Sequence, residues 1–277
     1  MAISNYRFMT ACALCGLLSL FLGGVLPLYA EQPASQKAPA SMQQSGDLRD
    51  PEALAELKRA TDFLVNLARF HFKATIAFDV IQEDGRRLQF ERAGEVLLQR
   101  PDRLFAEIYL DDGRHRQFWY DGQTISFAER SKNLHTRIKA PPTIDAMLDM
   151  LEGLLRDPMP LSDLLYSDLN PLEKRALEAE VVGDSIVDGR PCRHLAFRGE
   201  TVDWQIWIEQ GPHPLIRKIA VSYREEPGVP QYVAWLHNWE MPKSFKEGRF
   251  SFTVPAGSQW INVLVARPPA TEKGDRP

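Results

Sequence analysis

Residues 70–80 read Phe70-His71-Phe72-Lys73-Ala74-Thr75-Ile76-Ala77-Phe78-Asp79-Val80. Phe72, Ala74, Ile76, Phe78 and Val80 take every second place, with His71, Lys73, Thr75 and Asp79 between them. That period of two belongs to a strand with one buried face. Glu83-Asp84-Gly85-Arg86 then has the composition of a hairpin turn. The same style continues downstream, with strands expected near 87–99, 102–110, 114–120 and 123–129. Pro101-Asp102, Asp111-Asp112-Gly113 and Asp121-Gly122 supply the turns between them. Connections this short allow an antiparallel meander and exclude parallel crossovers, which need a dozen residues or more.

Upstream of this strand the period is helical. Asp50 is a good N-cap, Pro51 suits the first helical position, and Glu52 complements the positive end of the helix dipole. Leu54, Leu57, Thr61, Leu64 and Ala68 then form a stripe that should pack on the sheet. Downstream, Ala140-Pro141-Pro142 ends the meander and Thr143 caps a helix carrying Ile144, Met147, Leu148, Leu151 and Leu155. A short helix near 160–166 and a third over 170–178 are expected to follow. Strands resume near 179–187, 190–198, 202–209, 215–224 and 230–241, with turns at Asp188-Gly189 and Gly211-Pro212. A short terminal strand is expected at Phe250-Ser251-Phe252. Helix, meander, helices, meander describes one α+β domain, assigned to residues 50–262.

The flanks read differently. Arg7 precedes an uncharged run over residues 8–26, and Pro27-Leu28-Tyr29-Ala30 ends in a small residue, so residues 1–30 read as an export signal cleaved after Ala30. A retained membrane anchor is the competing reading, since about 20 apolar residues can span a bilayer. Cys15 is a poor lipidation site, because Cys12 stands three residues before it and most of the apolar run follows it. Residues 31–49 are rich in Ala, Ser, Gln and Pro and read as a flexible linker, and residues 263–277 read as a loose tail. Cleavage would leave Cys192 alone, so no disulfide framework is expected. It would also leave 32 basic residues against 37 acidic, a net charge of −5 without a basic block, which argues against nucleic acid as a partner.

No catalytic constellation emerges. There is no Gly-x-Ser-x-Gly elbow and no phosphate-cradling glycine loop. His71, His115, His135, His194, His213 and His237 are scattered, and none has the i, i+4 spacing of a zinc protease. Cys192 and His194 share a strand face, a pattern that suits a packed thiol beside a satisfied histidine better than a metal site or a nucleophile pair. Acidic pairs such as Asp111-Asp112 and Glu225-Glu226 sit in turns, where carboxylates are solvated. No cofactor and no metal are expected.

The aromatics say more. Phe118-Trp119-Tyr120, Trp204 with Trp207, and Trp235 with Trp239 all lie on expected strands. Trp204, Ile206 and Ile208 fall on one face, with Asp203, Gln205, Trp207 and Glu209 on the other. An ordinary sheet core and a lipid-lined pocket both need these side chains on this face, and periodicity does not separate them.

Several phrases carry a family resemblance: Asp50-Pro51-Glu52-Ala53-Leu54, Arg100-Pro101-Asp102-Arg103-Leu104, Trp119-Tyr120-Asp121-Gly122-Gln123-Thr124, Ala140-Pro141-Pro142-Thr143-Ile144-Asp145, the run from Pro160 to Asp168, Asp203-Trp204-Gln205-Ile206-Trp207-Ile208-Glu209 and Phe252-Thr253-Val254-Pro255-Ala256-Gly257. Together they resemble a bacterial family of predicted periplasmic proteins of unknown function, within the superfamily of the periplasmic lipoprotein carriers LolA and LolB, which also holds the stress regulator RseB and a mycobacterial lipid-binding lipoprotein. The resemblance implies an incomplete antiparallel β-barrel, a strongly curved sheet with an N-terminal amphipathic helix and short helices inserted as a lid. It carries over no binding residue.

The expectation is therefore a non-catalytic periplasmic protein that holds a hydrophobic ligand, a lipid or a lipoprotein acyl chain. The expected apolar lining is Phe72, Ile76, Phe78, Leu104, Ile108, Leu195, Phe197, Trp204, Ile206 and Ile219, with Met147, Leu148 and Leu151 from the lid. Arg86, Arg87, Arg114 and Arg116 are candidates to meet a head group. A lipid or an acylated protein is the expected partner, other envelope proteins come second, and the chain is expected to be a monomer. Two rivals stand beside this reading: an RseB-like protein-interaction or stress-sensor module, and an envelope hydrolase using Cys192 or His194.

Overall fold

Asp50 caps the first helix as its sequence implies: its side chain accepts a hydrogen bond from the Glu52 amide at 2.8 Å, with Pro51 in the first turn. Helix α1 runs Pro51–Asn66 and buries Ala53, Leu57, Ala60, Thr61 and Leu64. Ala68, expected to extend this stripe, lies beyond the helix and is exposed, because the backbone turns extended at Leu67.

The computed structural model describes residues 48–155 and 161–261. The stretches expected to be an export signal (1–30) and a loose tail (263–277), most of the expected linker and Pro160 lie outside the described residues, as does the side chain of Leu155. Just before α1 the chain is bonded to Ala179. Ala179 donates its amide to the Leu48 carbonyl at 3.1 Å and accepts from the Asp50 amide at 2.8 Å, a parallel bridge at Arg49.

Among the described residues, twelve strands build one sheet. The first meander is β1 (Arg69–Ile81), β2 (Arg87–Gln99), β3 (Arg103–Leu110), β4 (His115–Tyr120), β5 (Thr124–Glu129) and β6 (Leu134–Lys139). The second is β7 (Glu178–Val187), β8 (Arg190–Arg198), β9 (Val202–Glu209), β10 (Ile216–Tyr223) and β11 (Gln231–Glu240), and β12 is Gln259–Trp260. The sheet order is β12-β6-β5-β4-β3-β2-β1-β11-β10-β9-β8-β7, so β1 joins the meanders by pairing with both β2 and β11. The edges β12 and β7 are not paired with each other, which leaves the barrel open. This is the incomplete, curved antiparallel sheet expected from the sequence. Gly94 lets β2 and β3 approach tightly, since a Cβ there would stand 2.4 Å from the Glu107 carbonyl oxygen.

Three elements differ from the sequence expectations. β6 was not expected, because Leu134-His135-Thr136-Arg137-Ile138-Lys139 alternates weakly and follows a 3₁₀ turn that ends at a left-handed Asn133. Phe250-Ser251-Phe252 is not a strand. It belongs to a strap over the outer face, where Phe245, Phe250 and Phe252 pack on Leu97, Phe105 and Trp119, and the terminal strand β12 forms later, parallel to β6. The insert is also less helical than expected. α2 (Ile144–Leu155) is capped by Thr143 as read, but one 3₁₀ turn, Ser162–Leu165, stands near 160–166, and α3 covers only Asn170–Lys174 before β7 begins.

The main core lies between the inner sheet face and these helices. Leu57 and Leu64 of α1, Met147, Leu148 and Leu151 of α2, and Leu164 and Leu165 of the 3₁₀ turn meet Phe70, Phe72, Leu98, Leu104, Leu195, Phe197, Ile206 and Ile208 of the sheet.

Candidate functional site

Register places the sequence-expected lining on adjacent rungs of the inner face. One rung runs Arg92, Ile76, Ala234, Ile219, Ile206, Leu195 and Val181 across β2, β1, β11, β10, β9, β8 and β7. The next runs Phe90, Phe78, Tyr232, Val221, Trp204 and Phe197 across β2 to β8. Strand spacing makes this second rung about 24 Å long. It is apolar throughout except for one phenol.

Burial divides the expected residues into two groups. Phe72, Leu104, Leu195, Phe197, Ile206, Ile219, Met147, Leu148 and Leu151 are buried in the main core, in one cluster with residues of α1 and the 3₁₀ turn. Their neighbours are the chain's own side chains. Ile76, Phe78 and Trp204 are half-buried, and so are Phe90, Val221, Tyr223 and Tyr232 around them. Ile108 is 37% exposed and stands apart, opposite Gly94 on one side and Arg116 on the other. The inner face thus has a helix-covered half packed like any core and an aromatic half that the described helices leave partly open.

Ring contacts run along the half-open band. Trp204 stacks on Phe197 with centroids 3.9 Å apart, and Phe78 stacks on Phe90 at 5.9 Å. The Arg92 guanidinium stands 4.1 Å above the Phe78 ring. Burial pushes the Tyr232 phenol far up, against the opposing pull of Arg92, and pushes the Tyr223 phenol up to about 12. Burial also raises the Asp163 carboxyl at the band's edge, where Arg175 approaches it at 3.4 Å.

The insert is fastened over this face by a residue that sequence reasoning missed. Arg100, at the end of β2, donates to the Leu165 and Tyr166 carbonyls, at 3.0 Å each. Desolvation lowers its pKa, with Asp145 acting in the opposite direction. Tyr166 donates to Asp149 at 3.0 Å, and Ser167 bonds Asp145, which closes the insert on itself. Nothing in local sequence distinguishes Arg100 from the other arginines next to turns.

The four arginines considered for a head group are occupied elsewhere. Arg86 pairs with Asp84 and Arg114 with Asp112, both at 2.6 Å across their own turns, Arg116 pairs with Glu129 at 2.8 Å, and Arg87 bonds the Gly228 carbonyl. On the outer face Cys192 is fully buried and burial pushes its thiol up, while His194 bonds Gln205 at 2.9 Å and stacks on Trp207. That is the packed thiol and satisfied histidine read from sequence.

Two clefts flank α1, of about 340 and 260 Å³. The first is charged, between Glu52, Glu56, Arg59, Asp184 and Arg193, and the second is lined by Thr61, Asp62, Val65 and residues 167–170. Neither belongs to the aromatic band.

Residues 53–264 match the model of a family described as predicted periplasmic protein (DUF2092). The chain belongs to that family. Membership agrees with the periplasmic location expected from the sequence. Solved structures similar to the chain include the Mycobacterium tuberculosis lipoprotein LppX, at 13% identity and a TM-score of 0.44 over 70% of this chain and 98% of that one. The LolA superfamily protein NE2245 from Nitrosomonas europaea is 10% identical, with a TM-score of 0.34 over 72% and 97%. MucB in the Pseudomonas aeruginosa MucA/MucB complex is 15% identical, with a TM-score of 0.38 over 76% and 64%. No curated relative matches the chain in sequence.

Proposed function

We propose that this DUF2092 protein is a non-catalytic periplasmic binding protein that holds a hydrophobic ligand, a lipid or a lipoprotein acyl chain, on the inner face of its open barrel. The observation that supports this reading is the half-buried rung Phe90, Phe78, Tyr232, Val221 and Trp204, which is continuous with the buried Phe197 and the core yet incompletely covered by α1 and the described part of the insert. A soluble protein gains by covering so much apolar surface. An alkyl chain laid along the rung would do so, contributing about 0.8 kcal/mol for each methylene removed from water.

Within this reading the packed half acts as the floor and the aromatic half receives the guest. Ile76, Phe78 and Trp204 keep the lining role expected of them, and the fully buried residues set the curvature beneath. The test is extraction with organic solvent of the full chain isolated from a periplasm without detergent, followed by mass spectrometry. Recovered stoichiometric lipid supports the reading. A clean extract, together with no uptake of added long-chain lipid, counts against it.

A further inference from the structure

The two edges of the open sheet differ. A two-residue strand, β12, blunts the β6 side, whereas the ten-residue β7 ends the sheet on the other. Strand pairing has already begun on β7, where Leu48 and Asp50 share main-chain hydrogen bonds with Ala179. Helix α1 begins at Pro51, so this contact stops short of Asp184. Beyond the bulge between Val181 and Gly183, Pro191 fixes which groups of β7 are free, since it stands opposite Ile186. Pro191 has no N–H, and its carbonyl accepts from the Gln210 amide on the β9 side at 2.9 Å. Ile186 therefore forms a non-hydrogen-bonded pair with β8, and its N–H and C=O face outward, as do those of Asp184 two residues earlier. Among the described residues, no main-chain group bonds them. Val182 is 52% exposed and Ile186 75%, and Val181 to Val187 holds no lysine or proline of the kind that protects an edge. Ser185, between the two outward residues, carries a buried hydroxyl without a hydrogen-bond partner.

We propose that this edge pairs with the same edge of a second copy of the chain, antiparallel about a two-fold axis through Ser185. The inference is independent of the ligand and departs from the monomer expected from the sequence. In this register Asp184 and the second copy's Ile186 exchange both main-chain bonds, and symmetry repeats the exchange, so four outward N–H groups and four outward C=O groups are satisfied. Ser185 stands opposite its own copy, and a cross-strand serine pair gives the hydroxyl the partner it lacks. Charge selects the axis. Moving it to Asp184 would set two copies of that carboxylate face to face, and moving it to Ile186 would set Asp184 against Asp188. With the axis at Ser185 no like charges are opposed, and Asp184 keeps its bond to Arg193 at 2.9 Å.

The experiment uses the protein isolated from a periplasm and sedimentation equilibrium from about 1 μM to about 1 mM, the span of weak association. A monomer–dimer equilibrium is expected. Hydrogen exchange should then show protection of the Asp184 and Ile186 amides rising with concentration, while Ser185 and Val187, which face β8, stay unchanged. Ile186→Asp should weaken the dimer about tenfold, because symmetry sets like charges opposite Asp184 twice. Ile186→Lys should leave it at least as strong. Ile186 is exposed in the single chain, so both variants should fold, and a melting curve for each checks this. A monomer at every concentration, or a dimer indifferent to Ile186→Asp, overturns the proposal. Equal weakening by the aspartate and lysine changes contradicts the axis at Ser185. Concentration-dependent protection confined to residues outside 183–187 assigns the interface to another surface and overturns the proposal as well.

Discussion

Arg100 and Leu165, sixty-five positions apart, are joined by a hydrogen bond from the guanidinium Nη1 to the backbone carbonyl at 3.0 Å, and Nη2 repeats the contact at Tyr166. The pair fixes the 3₁₀ turn of the insert to the end of β2. Arg100→Ala should cost about 2–4 kcal/mol of stability, since two hydrogen bonds to a charged donor are lost and two carbonyls are left to find water. Chemical denaturation gives the total. Hydrogen exchange should show the excess opening concentrated in residues 161–169, and a uniform loss of protection would contradict the clamp.

Leu57 of α1 and Ile108 of β3 differ sharply in packing, one 1% exposed and the other 37%. Leu57→Ala should cost about 2–5 kcal/mol, because the vacated volume lies among Leu64, Phe72 and their neighbours. Ile108→Ala should cost less than about 1 kcal/mol. Equal losses at the two sites, measured by urea melts, would mean that the covered half is not a packed core.

Glu129 is buried and accepts from Ser131 and from Arg116. Desolvation raises its pKa, but these hydrogen bonds outweigh it and hold the carboxyl below its ordinary 4.5. A lowered folded pKa means that the stabilisation is present above the unfolded value and is lost as pH falls through the folded one. Glu129→Gln should therefore lower the melting temperature near neutral pH, and the gap to the parent should shrink as pH drops below 4.5. A gap that widens on acidification would reverse the assigned sign.

Gly94 has no room for a side chain, since the obstructing atom is the Glu107 backbone carbonyl oxygen. Gly94→Ala should cost about 1–3 kcal/mol through forced separation of β2 and β3. A melt showing no change would mean that the curve of the sheet does not depend on this contact.

The periodicity of residues 70–80 was enough to show a strand with one core-facing side, and the short turns after it were enough to establish the antiparallel style. The caps at Asp50 and Thr143 were legible for a similar reason: each satisfies local backbone groups with its own side chain. Long-range relations were not. Arg100 reaches carbonyls that any sequence would supply, and the strap at Phe245 and Phe252 is set by distant rings on Phe105 and Trp119. Arg92 escaped notice as well, because a charge inside an apolar alternation reads as an interruption until the register shows which way it faces. The expected lining mixed two environments for the same reason. Phe72 and Phe78 sit six residues apart on one strand face, and only the position of α1 and the insert makes the first buried and the second half-open.

In the proposed function a guest lies on the half-open aromatic band, a placement that photo-crosslinking with a diazirine-bearing stearate checks. Adducts mapped by mass spectrometry should fall on Ile76, Phe78, Trp204 and Tyr232. Adducts confined to the outer strap at Phe245 and Phe252, or none above the level of a non-binding control protein, would contradict it.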